Sequence, residues 1–286
     1  MRPRKRTSLL LLTIILLLVT LPACTPGSRP PNPTDLVPLL RAHAHNDYEH
    51  DRPLFDALDR GFTSVEADVY LVDGGLLVAH DVEDVQEDLT LQSLYLDPLR
   101  KRVRQNGGRV YPDGPGFTLL VDVKSEAEPT YGALRRVVKG YEEILTTFGP
   151  DGQRDGAVTV IISGNRPRGM MAGEAVRYAA CDGRLEDLDS GDPAALIPLI
   201  SDKWAEHFEW QGQGAMPDEE RQKLRDIVET AHAQGRRVRF WATPDRRSRA
   251  REAVWQALLA AGVDLINTDD LEGLRAFLLE HDPLLP

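Results

Sequence analysis

Short apolar runs rich in β-branched residues alternate along this chain with stretches whose apolar positions recur every three to four residues. The runs lie at Leu39–His43, Ser64–Tyr70, Phe117–Val123, Ala157–Ser163, Ala175–Ala180, Leu196–Ser201, Arg237–Ala242 and Asp264–Asn267. Between them, Leu54, Ala57, Leu58 and Gly61 keep helical spacing, as do Leu134, Val137, Val138, Tyr141 and Ile144. Leu224, Ile227, Val228 and Ala231 repeat the pattern, followed by Val254, Leu258, Leu259 and Ala261. Eight strands alternating with helices over about 250 residues predict one (β/α)8 TIM barrel spanning residues 39–286. Asp73-Gly74-Gly75 is a turn signal, so Leu76–Ala79 is expected to fold back on the second strand as a hairpin.

The N-terminus has a different pattern. Arg2, Arg4, Lys5 and Arg6 precede an apolar stretch from Leu9 to Leu21, too short for a comfortable membrane span and flanked as a secretory leader is. It ends in Leu21-Pro22-Ala23-Cys24, which resembles a bacterial lipobox. The expectation is a lipoprotein signal peptide over residues 1–23, lipidation at Cys24, and a Pro-rich tether over 24–38. The protein would then be secreted across the inner membrane and held in the cell envelope by its lipid anchor. Cleavage removes those four positive charges and moves the net charge from −11 to −15. Cys181 is left as the one thiol able to pair, which excludes an intramolecular disulfide. So acidic a chain is a poor nucleic-acid binder; a monomer acting on small molecules or lipid headgroups is expected.

In a barrel of this kind chemistry sits at the C-terminal ends of the strands. Glu66 and Asp68 are two apart on the second strand, so both point to one side. Two carboxylates on an otherwise apolar strand need compensation, and a bound cation supplies it. Asp122 on the next strand offers a third oxygen. Three carboxylates without cysteine favour one divalent cation, Mg²⁺ or Ca²⁺, over zinc; salt bridges to Lys124, Lys203 or Arg41 would explain any one of them, but all three on adjacent strands put the metal ahead. His43 and His80 each follow a strand and would flank the cation, one accepting a proton and the other donating one in phosphodiester cleavage. His45 and His50 fit structural hydrogen-bonding roles better.

These residues, in this order, resemble the phospholipase-C-like phosphodiesterase superfamily, which includes glycerophosphodiester phosphodiesterases and sphingomyelinase D-like enzymes. Ala42-His43 matches the start of the first group, Glu66-Ala67-Asp68 its Glu-x-Asp, and His80-Asp81 its second His-Asp. His43 through Asn46 match the sphingomyelinase-like His-x-x-Asn, Asp122 and Lys124 its Asp-x-Lys, Trp241 its strand-seven tryptophan, and Val263 through Asp269 its closing motif. A closer likeness is to a poorly characterised branch whose first strand ends in His-x-His-Asn-Asp-Tyr, as His43–Tyr48 does. The resemblance implies a PLC-like barrel acting as a metal-dependent phosphoric diester hydrolase on a glycerophosphodiester or a phospholipid headgroup. Catalysis would fall to His43, His80 and Lys124, the metal to Glu66, Asp68 and Asp122, and substrate binding to Asn46, Arg166 and Trp241. The Arg-Gly that follows the first histidine in glycerophosphodiesterases is replaced by Ala44-His45, so Arg41, Arg166 or Arg168 would have to hold phosphate. Two alternatives remain: a zinc amidohydrolase-like enzyme starting from His43-Ala44-His45, and a non-catalytic ligand-binding surface lipoprotein.

Overall fold

The computed structural model describes residues 36–285. The leader over 1–23, the lipidation site Cys24 and the tether as far as residue 35 lie outside the described residues.

Eight parallel strands close into a barrel: β1 Leu39–Ala44, β2 Phe62–Val72, β3 Phe117–Val123, β4 Val158–Gly164, β5 Ala180–Gly183, β6 Leu199–Lys203, β7 Arg237–Trp241 and β8 Leu265–Thr268. Each pairs with its chain neighbour, and β1 pairs with both β2 and β8 to complete the ring. Gly75–Val78 returns antiparallel along β2, as the Asp-Gly turn predicts; Asp73 and Gly74 both take the positive φ that such a turn needs. Helices Ala127–Lys139, Asp218–Ala233, Arg249–Ala261 and Leu271–His281 pack outside. Ser248 and Asp270 start the last two by accepting hydrogen bonds from Arg251 N and Gly273 N.

Strand alternation sorts the residues into two populations. Outward-facing Val65, Ala67, Val121, Ile162, Cys181, Val238, Phe240 and Ile266 join Leu134, Val228, Leu258 and Leu274 of the helices in one continuous core. Inward-facing Leu120, Ile161, Leu199 and Leu265 form a separate apolar cluster of four. The positions one step further along the strands are polar: Glu66, Asp122, Ser163, Asp182, Ser201, Arg239 and Asn267.

Two strands differ from expectation. The run Ala175–Ala180 is not the fifth barrel strand; Arg177 pairs through its backbone with Phe148 of the outlying hairpin Thr147–Gly149/Gly152–Arg154, and the barrel strand starts only at Ala180. The sixth begins at Leu199 rather than Leu196, because Leu196 and Ile197 close a turn on the Pro193 carbonyl. The alternation of strand and helix is also incomplete. A short 3-10 turn, Leu185–Asp189, takes the place of a helix after β5.

Candidate active site

Parallel register brings the three expected carboxylates together. Asp68 and Asp122 are paired positions on β2 and β3. Oxygens of Glu66, Asp68 and Asp122 lie within 4.8 Å of one another. Lys124 Nζ bridges two of them, 3.0 Å from Asp68 Oδ2 and 3.3 Å from Asp122 Oδ1. The Tyr48 hydroxyl donates to Asp68 Oδ2 at 2.8 Å, while Asp68 Oδ1 is buried without a hydrogen-bond partner. Glu66 Oε2 receives Arg239 Nη2 and lies 3.2 Å from His43 Nε2. Burial, opposed by Lys124 and reinforced by Glu66 and Asp122, pushes Asp68 up to about 6. Glu66 is buried too, but Arg239 and His43 outweigh the desolvation and hold it well below the carboxylate range. Both salt bridges and a cation-sized oxygen cluster are thus present in one place. Hard oxygen donors and an unspent buried oxygen on Asp68 fit Mg²⁺ or Ca²⁺ chemistry.

A cavity of about 200 Å³ opens beside this cluster, lined by His45, Asn46, Glu66, His80, Asp122, Lys124, Ser163, Arg184, Ser201, Arg239 and Trp241. His43 is absent from that wall. It is fully buried, clamped between Ser64 Oγ at 2.7 Å and Glu66, and burial together with Arg239 lowers it to about 3, which keeps it neutral. Two residues on, His45 points the same way but one layer higher, into the cavity. Its Nδ1 lies 2.8 Å from Asp269 Oδ1. Burial opposes its charge, yet the Asp269 hydrogen bond and the charges of Glu66 and Asp269 raise it overall. The geometry thus places His43 in a buried clamp against Glu66 and His45 on the cavity wall. His80 is exposed at the rim, with Nδ1 3.1 Å from the Tyr48 hydroxyl and 3.6 Å from Asp68 Oδ2.

Asn46 reaches the cavity from a left-handed backbone position (φ 43°), and Trp241 precedes another, Ala242 (φ 52°). Gly164, the last residue of β4 at φ 63°, leaves room for Asp122: a Cβ there would clash with Asp122 Oδ1.

The arginines expected to hold phosphate lie elsewhere. Arg166 bonds the Gly164 carbonyl and is not part of the cavity wall. Arg168 is tied to Asp187 and Asp192, and Arg41 to the Val263 carbonyl and Asp282. Arg184 and Arg239 occupy the wall instead. Arg239 was legible in principle, since Arg237 and Arg239 alternate on one strand face. Arg184 and the buried Asp182 were hidden by the displaced fifth strand. Burial pushes Asp182 up to about 6 against the pull of Arg184 and Arg239.

A second group, Asp202, Glu206 and His207, also draws close, with Glu206 already 3.7 Å from Lys203. Neither group of possible metal ligands among the described residues contains both His43 and His45, so the two-histidine centre of an amidohydrolase is not assembled there.

Comparison with known proteins agrees with this architecture. The model of the AIM6-like phosphodiesterase domain matches residues 33–180, and that of the glycerophosphoryl diester phosphodiesterase family matches residues 237–272. An altered inheritance of mitochondria protein 6 homolog from Arthroderma benhamiae is 28% identical over 86% of this chain and 87% of its own length. The protein of that name from Eremothecium gossypii is 31% identical over 89% of this chain and 74% of its own. A glycerophosphoryl diester phosphodiesterase from Parabacteroides distasonis shares the fold at a TM-score of 0.52 and 14% identity, covering 87% of this chain and 88% of that one. With its barrel closed and its acidic cluster at the strand ends, the chain belongs to the AIM6-like phosphodiesterase domain family.

Proposed function

We propose that the protein is a divalent-cation-dependent phosphoric diester hydrolase acting on a glycerophosphodiester or a phospholipid headgroup. The observation that carries this reading is one cavity onto which Glu66, Asp122, His45 and His80 all open. Glu66, Asp68 and Asp122 would hold Mg²⁺ or Ca²⁺, which when bound neutralises charge on the phosphoryl group. Lys124 and Arg239 add fixed positive charge at the same wall. The Asp269 carboxylate accepts the Nδ1 proton of His45 and favours its protonated form, which suits His45 to deliver a proton from Nε2 to the leaving oxygen. His80, oriented by Tyr48, takes the proton of the attacking hydroxyl, whether water or a hydroxyl of the substrate. Trp241 walls the alcohol side.

The test is hydrolysis of bis(p-nitrophenyl) phosphate and of glycerophosphodiesters before and after EDTA, with Mg²⁺ or Ca²⁺ restored. Cation-restored turnover that is lost in both His45→Ala and His80→Ala supports the reading; turnover indifferent to EDTA or to both substitutions overturns it. The Lys124 bridge between Asp68 and Asp122 favours one rival, a non-catalytic barrel in which lysine stands where a cation would. Phosphodiester binding without turnover under any cation would select it. The envelope location belongs to the proposal as well: labelling with a fatty-acid analogue should disappear in Cys24→Ala, and labelling that persists would refute anchoring at that residue.

A further inference from the structure

The cations of the cavity are not equally engaged. Lys124 is spent on Asp68 and Asp122, and Arg239 on Glu66 and Asn267. Arg184 differs. Its Nη1 alone meets three acceptors: Asp182 Oδ2 at 2.9 Å, the Gly183 carbonyl at 2.9 Å and the Ser201 carbonyl at 3.0 Å. Asp182 is itself fixed by the Ser163 hydroxyl at 2.7 Å. The plane of the guanidinium is therefore locked from behind. Its Nε and Nη2 have no hydrogen-bond partner among the described residues, and neither is among the buried unpaired atoms. Those two nitrogens are therefore not sealed from solvent, and Arg184 is part of the cavity wall. Two parallel N–H groups on a preorganised edge match a carboxylate or phosphate bidentately.

The aromatic part of the same wall does not favour a cationic headgroup. Trp241 is the aromatic surface available there, and Lys203 Nζ already stands 5.8 Å from its ring centre. A quaternary ammonium brought to that ring would meet a like charge.

Resting on the hydrolase reading and deepening it, we propose that Arg184 is a specificity-determining residue that selects phosphodiesters whose alcohol moiety bears a second anionic group, with Asp182 as its positioning residue. The chemistry is shared by a free small diester and by an acidic lipid headgroup.

The experiment compares three p-nitrophenyl phosphodiesters with one leaving group, their other alcohol being 3-hydroxypropionate, propanol or choline. The acidic diester should exceed the choline diester in kcat/KM by about tenfold or more, as a charged bidentate contact implies. In Arg184→Gln that ratio should collapse at least tenfold, and Arg184→Lys should recover part of it. Asp182→Asn should shrink the ratio mainly through KM. A choline preference, or an equal loss on all three substrates in Arg184→Gln, would overturn the proposal, the latter because the guanidinium would then serve the phosphoryl group. Should no diester be cleaved under any cation, hydrolysis itself fails, and calorimetry decides recognition separately. Tighter binding of the phosphomonoester of 3-hydroxypropionate than of phosphocholine, with the difference lost in Arg184→Gln, would support the proposal; equal binding would refute it. A second arm presents vesicles of cardiolipin, whose headgroup glycerol carries a second phosphate, or of phosphatidylcholine: cleavage of cardiolipin in preference assigns the acidic alcohol to a lipid, and cleavage of the soluble acidic diester alone assigns it to a free one.

Discussion

The space between strands and helices and the space inside the strands are built from alternate residues of the same segments, yet they differ in every chemical respect. The outer space is continuous and apolar, and it joins all the long helices to the sheet. The inner space has one apolar layer of four residues, above which come buried acids, arginines and hydroxyls held by one another. Burial of apolar area stabilises the outer space at about 25 cal/mol per Å². The inner one spends free energy on desolvated charge. Stability and chemistry are thereby assigned to opposite faces of one strand, one residue apart.

Substitutions can break or sharpen this contrast. Inside, Asp122→Asn should reduce cation-dependent turnover by about 10³-fold, several kcal/mol of transition-state stabilisation, while leaving the urea midpoint close to wild type. Outside, Phe240→Ala should cost about 3–5 kcal/mol in urea unfolding and leave kcat of the folded fraction intact. If both variants lose stability alike, the division is wrong. His43 and His45, in and just beyond the end of β1, refine the comparison. His45→Ala should lower kcat by about 10²-fold or more with little change in stability. His43→Ala should cost about 1–3 kcal/mol by orphaning Ser64 and Glu66.

A pH series probes the interior alone. The Asp182 carboxyl is raised to about 6 in the folded protein, so between its ordinary value near 4 and that point the folded state binds the extra proton. Its protonated form is the one the fold favours, and that contribution is lost as pH rises through about 6. Unfolding midpoints of wild type and Asp182→Asn should therefore diverge from pH 4 to 6, the variant becoming the more stable by up to about 3 kcal/mol. The smallest effect is expected at Gly164→Ala, where the new methyl displaces Asp122. Mn²⁺ affinity followed by titration calorimetry should weaken about tenfold. Unchanged affinity would mean that Asp122 does not bind the ion.

Much of this was legible before any coordinates. Period-two and period-3.6 patterns suffice for strands that are long, such as Phe117–Val123, and for helices with one apolar stripe. The acidic trio was legible because i, i+2 spacing on a strand fixes a common side. What escaped depended on depth rather than direction. His43 and His45 share an orientation, and only the stagger of neighbouring strands decides which reaches the cavity. Ala180–Gly183 escaped for another reason: it is short, and its inward Asp182 interrupts the apolar run, while the more apolar Ala175–Ala180 is drawn to an outlying hairpin. Arg184 could not be singled out before that strand was placed.

The quartet Leu120, Ile161, Leu199 and Leu265 is a floor. The cavity is closed off on that side, so under the proposed hydrolysis both fragments would leave toward the strand ends from which the diester came. Whichever piece departs last stands in the path of the next arrival, and turnover at high concentration would then be paced by traffic at that end of the barrel.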